Sequence, residues 1–296
     1  MKKLYLLLFI FVTAGGFSQS LSPAVISAAG DYSTGASASL SWTLGELATE
    51  TLNNGSYILT QGFQQPIEGV TISLNLDLLV FLEGPYSGTE MGTYLNSAGL
   101  IPLSQPYNSA PWNYSGTESV LSIPNPNVVD WVLIELRDAA NAVSATSATR
   151  IARQAAFLLK DGSVVGTDGS SILQFNNSFT QQLFVVVWHR NHLGIMSANG
   201  VTQSGGIYAF DFSTAAGQVY GGTAGYKNIS GSIWGMVAGD ATHDGLINLS
   251  DKIQWAAFAG KKGYYDTDYN LNAQVNNPDK DEKWLPNQSK IEQIPD

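Results

Sequence analysis

The sequence predicts a mainly β protein: an N-terminal β-hairpin segment, a central antiparallel β-sandwich, and a small C-terminal α-helical module built on two twelve-residue loops. Three observations carry this prediction. Short apolar runs alternate with period two and are separated by Gly, Pro and Asn, as strands and turns require. No heptad pattern or repeat of about 30 residues interrupts them. Near the C-terminus, Asp and Asn recur at fixed offsets in two windows. These signals divide the chain into residues 1–18, 19–68, 69–238 and 239–296.

The first segment contains MKKLYLLLFIFVTAGGFS, with Lys2 and Lys3 ahead of an apolar run from Leu4 to Ala14 and small residues at Gly16 and Ser18. This pattern predicts a secretory signal peptide cleaved after Ser18, so that the mature chain begins at Gln19 and is secreted or held on the outer cell surface. The run is too short to span a bilayer comfortably, and no other stretch of about 20 apolar residues follows, so no transmembrane segment is expected in the mature chain. With 0 Cys there is no disulfide framework and no thiol for lipid attachment. A net charge of −10, with only 14 Lys and Arg, is the wrong sign for holding a phosphate backbone and argues against nucleic acid as a partner.

In residues 19–68, Leu40, Trp42 and Leu44 alternate, Asn53-Asn54-Gly55 marks a turn, and Tyr57-Ile58-Leu59 follows, which reads as a hairpin. Pro66 and Gly69 then punctuate the chain before Ile72, Leu74, Leu76 and Leu78 begin a second alternation. Val128–Arg137 is dense in β-branched and apolar residues, and Ala155–Leu159 leads into an Asp161-Gly162 turn. Leu183–Trp188 is a candidate central strand, and Ile207–Phe212 alternates again. Several short strands joined by such turns predict an antiparallel sandwich or jelly-roll-like domain.

The C-terminal segment opens with GDATHDGLINLSD. Asp240, Thr242, Asp244, Leu246, Asn248 and Asp251 occupy positions 1, 3, 5, 7, 9 and 12 of a loop, with Gly245 at position 6. This is the register of an EF-hand-type calcium loop: a tightly wound loop brings odd-numbered oxygens to one point, position 7 offers its carbonyl, and glycine permits the sharp turn. A second window starts 28 residues later, with Asp268, Asn270, Asn272, Gln274, Asn276 and Asp279 at the same positions. It carries fewer carboxylates and has Ala273 where the first has Gly245, so two calcium ions are expected, the second bound more weakly. Ile253, Ala256, Ala257 and Gly260 are expected to share one face of a short helix ending at Gly260–Gly263, with Ile247, Ile253, Ala257 and Trp284 as the buried apolar residues.

At these residues the segment Gly239–Asp279 resembles the dockerin family, whose paired loops end in Asp, here Asp251 and Asp279, where an EF-hand has Glu. The resemblance implies two calcium ions, two short helices and docking onto a cohesin-like protein receptor. Where many dockerins present Ser-Thr to cohesin, this chain has Leu249-Ser250 and Asn277-Pro278, so the receptor could also be of another kind. The segment Val25–Pro66, with SWTLGELATETL and ILTQGFQQP, is similar to a module of secreted, surface-associated proteins from Gram-negative bacteria that use type IX secretion. That second resemblance implies a location and no activity.

The central domain offers weaker signals. Trp188-His189-Arg190-Asn191-His192 could bind a metal if the chain bends there; on one extended strand the two histidines face opposite sides, and the cluster reads as structural. Asp130 with Glu135, or Asp77 with Glu83, could serve glycoside hydrolysis if held at the right separation, but they read as strand-face and turn charges. Tyr107, Trp112 and Tyr114 could form a platform for sugar rings or plug one end of the sandwich. No nucleophile elbow, zincin, P-loop or dinucleotide fingerprint is present, so no catalytic residue is assigned. The reading is a non-catalytic calcium-binding protein of adhesion or assembly; the alternatives are a carbohydrate-binding component of a polysaccharide-degrading assembly and a glycoside hydrolase with unrecognised acids.

Overall fold

The computed structural model describes residues 73–296 together with the strand residues 29–34, 39–44, 52–53 and 58–59. The expected signal peptide lies outside the described residues. Two compact units, Met1–Val70 and Thr71–Asp296, divide the chain. In the first, β1 (Ala29–Thr34) pairs antiparallel with β2 (Ser39–Leu44), and β3 (Leu52–Asn53) pairs antiparallel with β4 (Ile58–Leu59). The expected hairpin is therefore closed between Asn53 and Ile58, and Asn53 is the last strand residue rather than the first of the turn.

The second unit is built from two sheets that share one core. In the five-stranded sheet the order is β11 (His192–Met196), β10 (Gln182–His189), β6 (Val128–Ala139), β7 (Arg150–Leu159) and β8 (Val164–Val165). All neighbours in it are antiparallel. β6 is the middle strand, and the Leu183–Trp188 segment lies in β10, an interior strand flanked by β11 and β6, as a central strand is. Every residue from Val128 to Arg137 is buried, and that near-continuous apolar run marks a strand covered on both faces.

The four-stranded sheet has the order β12 (Gln203–Ser204), β13 (Ile207–Asp211), β5 (Leu74–Leu79) and β9 (Leu173–Phe175). Leu74, Leu76 and Leu78 bury together, as their alternation requires, and join Val132, Ile134, Leu136, Val185 and Val187 in one core. The expectation of a wholly antiparallel domain fails at one pair: β13 runs parallel to β5. Parallel neighbours need a long crossover, and the entire five-stranded sheet intervenes in sequence. A hairpin of β14 (Tyr226–Ser230) and β15 (Ile233–Met236) then leads into the loops.

Helix is scarce. A one-turn α1 (Tyr94–Ser97) precedes the sandwich strand β6, and α2 (Leu249–Phe258) follows the first loop. Its buried face is Asp251 and Trp255, whereas Ile253, expected inside, is 64% exposed and Ala256 and Ala257 face out. The cause lies in the loop: Asp251 must turn inward to close it, and residues four and seven further on, Trp255 and Phe258, follow it to that side. The second expected helix is a π-helical turn, Asp279–Trp284, continued by a 3₁₀ turn, Leu285–Asn287. Asp251 and Trp255 are separated by Lys-Ile-Gln, Asp279 and Trp284 by Lys-Asp-Glu-Lys. One inserted residue is what a π turn absorbs, and the Leu285 N–H accordingly bonds to the Lys280 carbonyl five residues back.

A smaller core lies under the loops. Ile247 and Trp284 belong to it as expected, with Ala241, Trp255, Tyr269 and Val275; Leu193 of β11 and Val237-Ala238 after β15 complete it.

Candidate metal centre

The two loops wind alike. In loop 1 the Asp240 carboxylate accepts the Gly245 N–H (3.1 Å) and Asp244 that of Leu246 (3.0 Å). Asp251 accepts the N–H groups of Thr242 (3.0 Å) and Asn248 (2.8 Å) and the Thr242 hydroxyl (2.8 Å). In loop 2 Asp268 accepts from Ala273 (2.8 Å), Asn272 Oδ1 from Gln274 (2.9 Å), and Asp279 from Asn270 (3.0 Å) and Asn276 (2.8 Å). Positions 1, 5 and 12 therefore hold the N–H groups of positions 6, 7, 3 and 9 in both copies. Backbone strain repeats too. His243 and Leu271 at position 4 have φ of 58° and 54°, and Gly245 and Ala273 at position 6 have 75° and 71°. Glycine adopts that left-handed conformation freely, alanine only at a cost of roughly 1–2 kcal/mol.

The oxygens so arranged are hard donors: carboxylates, a hydroxyl, side-chain amides and main-chain carbonyls. Asp240, Asp251, Asp268 and Asp279 are buried, while Asp244 is exposed. Burial, and then the nearby Asp251 charge, push the Asp240 carboxyl up to about 7. Burial, reinforced by Asp279, does the same for Asp268, to about 7, and burial lifts Asp279 to about 6. Asp240 Oδ1 at position 1 and Asn276 Oδ1 at position 9 are buried without a hydrogen-bond partner. Such groups are expensive unless something positive completes them. Among the described residues no three Asp, Glu or His side chains gather closely enough to cage an ion by themselves. By type the side chains of both loops are oxygen donors, with few acids per loop, which is the chemistry of a hard divalent cation rather than of a soft metal.

Three buried polar groups hang these loops on the sandwich. Asn191, in the tight turn between β10 and β11, accepts the N–H groups of Gly239 (3.0 Å) and Asp240 (3.3 Å) on its carbonyl and donates Nδ2–H to the Asp268 carbonyl (2.8 Å). It thus touches the first residue of both loops. Arg190 donates to Asp130 (2.9 Å) and to the Tyr265 carbonyl, with its guanidinium 4.0 Å from the Tyr264 ring centre. Glu83 takes the Ala238 N–H (3.1 Å) ahead of loop 1 and the Asn287 side chain (2.6 Å) behind loop 2.

The turn at Arg190-Asn191 also overturns the expectation that the histidines face apart. They lie on successive strands, with their Nδ1 atoms 3.0 Å apart. His192 Nε2 accepts the Gly84 N–H (3.0 Å), so its proton sits on Nδ1; His189 can then give its Nε2–H to Asp130 (3.3 Å). Burial holds both imidazoles below their usual range. Burial works against the Asp130 charge, but Arg190, His189 and Tyr264 outweigh it and bring that carboxyl down to about 2.

The remaining candidate residues, apart from Asp77, are held in structural contacts. Glu135 pairs with Arg137 (2.8 Å) and Arg150 (3.5 Å), Glu83 with Lys227 (2.6 Å), and Asp77 is exposed. Tyr107 is buried with its hydroxyl on the Trp131 carbonyl (2.8 Å), and Tyr114 is buried with its hydroxyl on Glu118. Trp112 stands edge-on to Tyr107 (5.0 Å) and against His243 of loop 1 (4.7 Å). Tyr107 and Tyr114 thus belong to the main core, and the half-buried Trp112 packs against it. Sequence reasoning named Asn191 within the histidine cluster and Glu83 within an acid pair but missed their role as anchors, because their partners are far along the chain.

No protein-family model matches the chain, and no curated protein matches it. Among solved structures, the chain is similar to chains of two type II cohesin–X-dockerin complexes from Acetivibrio cellulolyticus, an N-terminal and a C-terminal interface mutant. Each likeness has 14% identity and a TM-score of 0.35 and covers 74% of this chain, with 95% and 97% of the respective matched chains.

Proposed function

We propose that this is a secreted or cell-surface, non-catalytic protein of adhesion or assembly, whose C-terminal loops bind two calcium ions and which docks a protein receptor. The observation that supports it best is the repeated winding of the loops, with a left-handed residue at positions 4 and 6 and the same four hydrogen bonds in each. Asp240, Thr242, Asp244, the Leu246 carbonyl, Asn248 and Asp251 would hold the first ion. Asp268, Asn270, Asn272, the Gln274 carbonyl, Asn276 and Asp279 would hold the second. Calcium supplies the positive charge that the buried aspartates lack, and its role is structural. An outward face on α2, with Leu249 62% and Ile253 64% exposed four residues apart, supports a protein partner.

The test is calorimetry of the full chain with calcium after chelation, alongside proteolysis. Two binding events are expected, in the ~10⁻⁴–10⁻³ M range of extracellular modules. Saturation at a hundred times the dissociation constant would add about 2.7 kcal/mol to stability and protect the loops from protease. A chain that takes up no calcium and is cut equally fast in chelator refutes the calcium reading. A pull-down from the native cell surface that is indifferent to calcium refutes the docking role.

A further inference from the structure

The two loops exchange contacts in a crossed pattern. Trp255 lies on the helix that leaves loop 1, yet its Nε1–H donates to the Asn276 carbonyl in loop 2 (3.1 Å). Trp284 lies on the π turn that leaves loop 2 and donates to the Asn248 carbonyl in loop 1 (2.8 Å). Asn248 and Asn276 are both ninth in their loops. The ammonium groups of Lys252 and Lys280, each directly after a twelfth residue, lie 5.4 Å and 5.0 Å from the rings of Trp284 and Trp255. Both rings are buried.

The main chains of the loops pair elsewhere. Ile247 bonds to Ser289 and Lys290, and Val275 to Gly260 and Lys261. Each indole thus reaches the ninth residue of the other loop directly. That residue's own N–H is the one that holds the closing aspartate: Asn248 on Asp251, Asn276 on Asp279.

We infer that Trp255 and Trp284 are positioning residues for the calcium site of the loop that each does not follow. By fixing the carbonyl of the ninth residue, the indole restrains the backbone on one side of that Cα, and so the N–H on its other side that aims the twelfth carboxylate at the ion. The inference rests on the calcium reading above. It predicts a crossed dependence that general packing does not produce.

The experiment uses the full chain in two single-site backgrounds, Asp268→Ala, which leaves loop 1, and Asp240→Ala, which leaves loop 2. Phenylalanine keeps a ring and deletes the N–H. In the Asp268→Ala protein, Trp284→Phe should weaken calcium binding about five-fold, the worth of one hydrogen bond, while Trp255→Phe changes it by less than about two-fold. In the Asp240→Ala protein the two should trade places. A second measurement needs no tryptophan variant: as calcium fills loop 1 of the Asp268→Ala protein, the Trp284 indole N–H resonance should shift and its exchange slow more than those of Trp255. Equal loss in both loops, or loss in the loop that the ring follows, overturns the inference and leaves calcium binding intact. No calcium uptake by the unsubstituted chain refutes the calcium reading itself, and the inference with it.

Discussion

Loop 1 and loop 2 hold the same hydrogen bonds with different side chains. Loop 1 has three aspartates, a glycine at its sharpest point and a regular α-helix after it. Loop 2 has two aspartates, an alanine forced to φ 71° and a π turn. The winding thus depends on the first and twelfth aspartates, which both loops keep, whereas the charge at position 5 and the turn at position 6 vary. Geometry and ion affinity are therefore separable here, and substitutions can move one without the other.

The largest effect should come from the first position. Asp240→Ala removes a proposed ligand and the acceptor for Gly245, and calorimetry should lose the tighter calcium event while keeping the weaker; Asp268→Ala should do the reverse. Loss of both events from either variant would mean that the loops do not fill separately. Next comes Asn191→Ala, which spares the carbonyl that serves loop 1 but deletes the amide that serves loop 2. Thermal unfolding should report about 1–3 kcal/mol of destabilisation, and calcium titration should show the weaker site suffering more. Equal weakening of both would show that the turn acts as a whole.

The smallest effects test position 6. Gly245→Ala should destabilise by roughly 1–2 kcal/mol, since a methyl group there is strained by the φ of 75° and comes within 3.2 Å of Glu292 Cβ. Ala273→Gly should stabilise by somewhat less, because the glycine also loosens the unfolded chain. Chelated protein in a denaturant titration is the proper readout, since it separates the turn from the ion. If Ala273→Gly destabilises, the methyl group contributes packing that outweighs its strain.

What the sequence made legible follows from the range of each interaction. Alternation at Leu74, Leu76 and Leu78 and the dense Val128–Arg137 run are local, and both strands formed where they indicated. The helix face was misread because the apolar count favoured Ile253 and Ala257, while the inward turn of Asp251 sets the phase. The π turn was open to reading, since the second copy carries one residue more between Asp and Trp. The parallel β5–β13 pair and the anchors Glu83 and Asn191 join residues more than 100 positions apart or serve groups on several segments. No local pattern encodes such pairings.

The small core under the loops draws Leu193, Val237 and Ala238 from the strand-bearing part of the chain. A stretch cut at Gly239 would carry Ile247, Trp255 and Trp284 away from the wall they pack on, leaving an oily flank in water. Gene shuffling moves self-sufficient cassettes; a segment rooted like this one travels only with its host. In a tandem or chimeric protein the unit of inheritance would therefore be Thr71–Asp296 entire, and a fusion designer who wants the loops must transplant the sandwich with them.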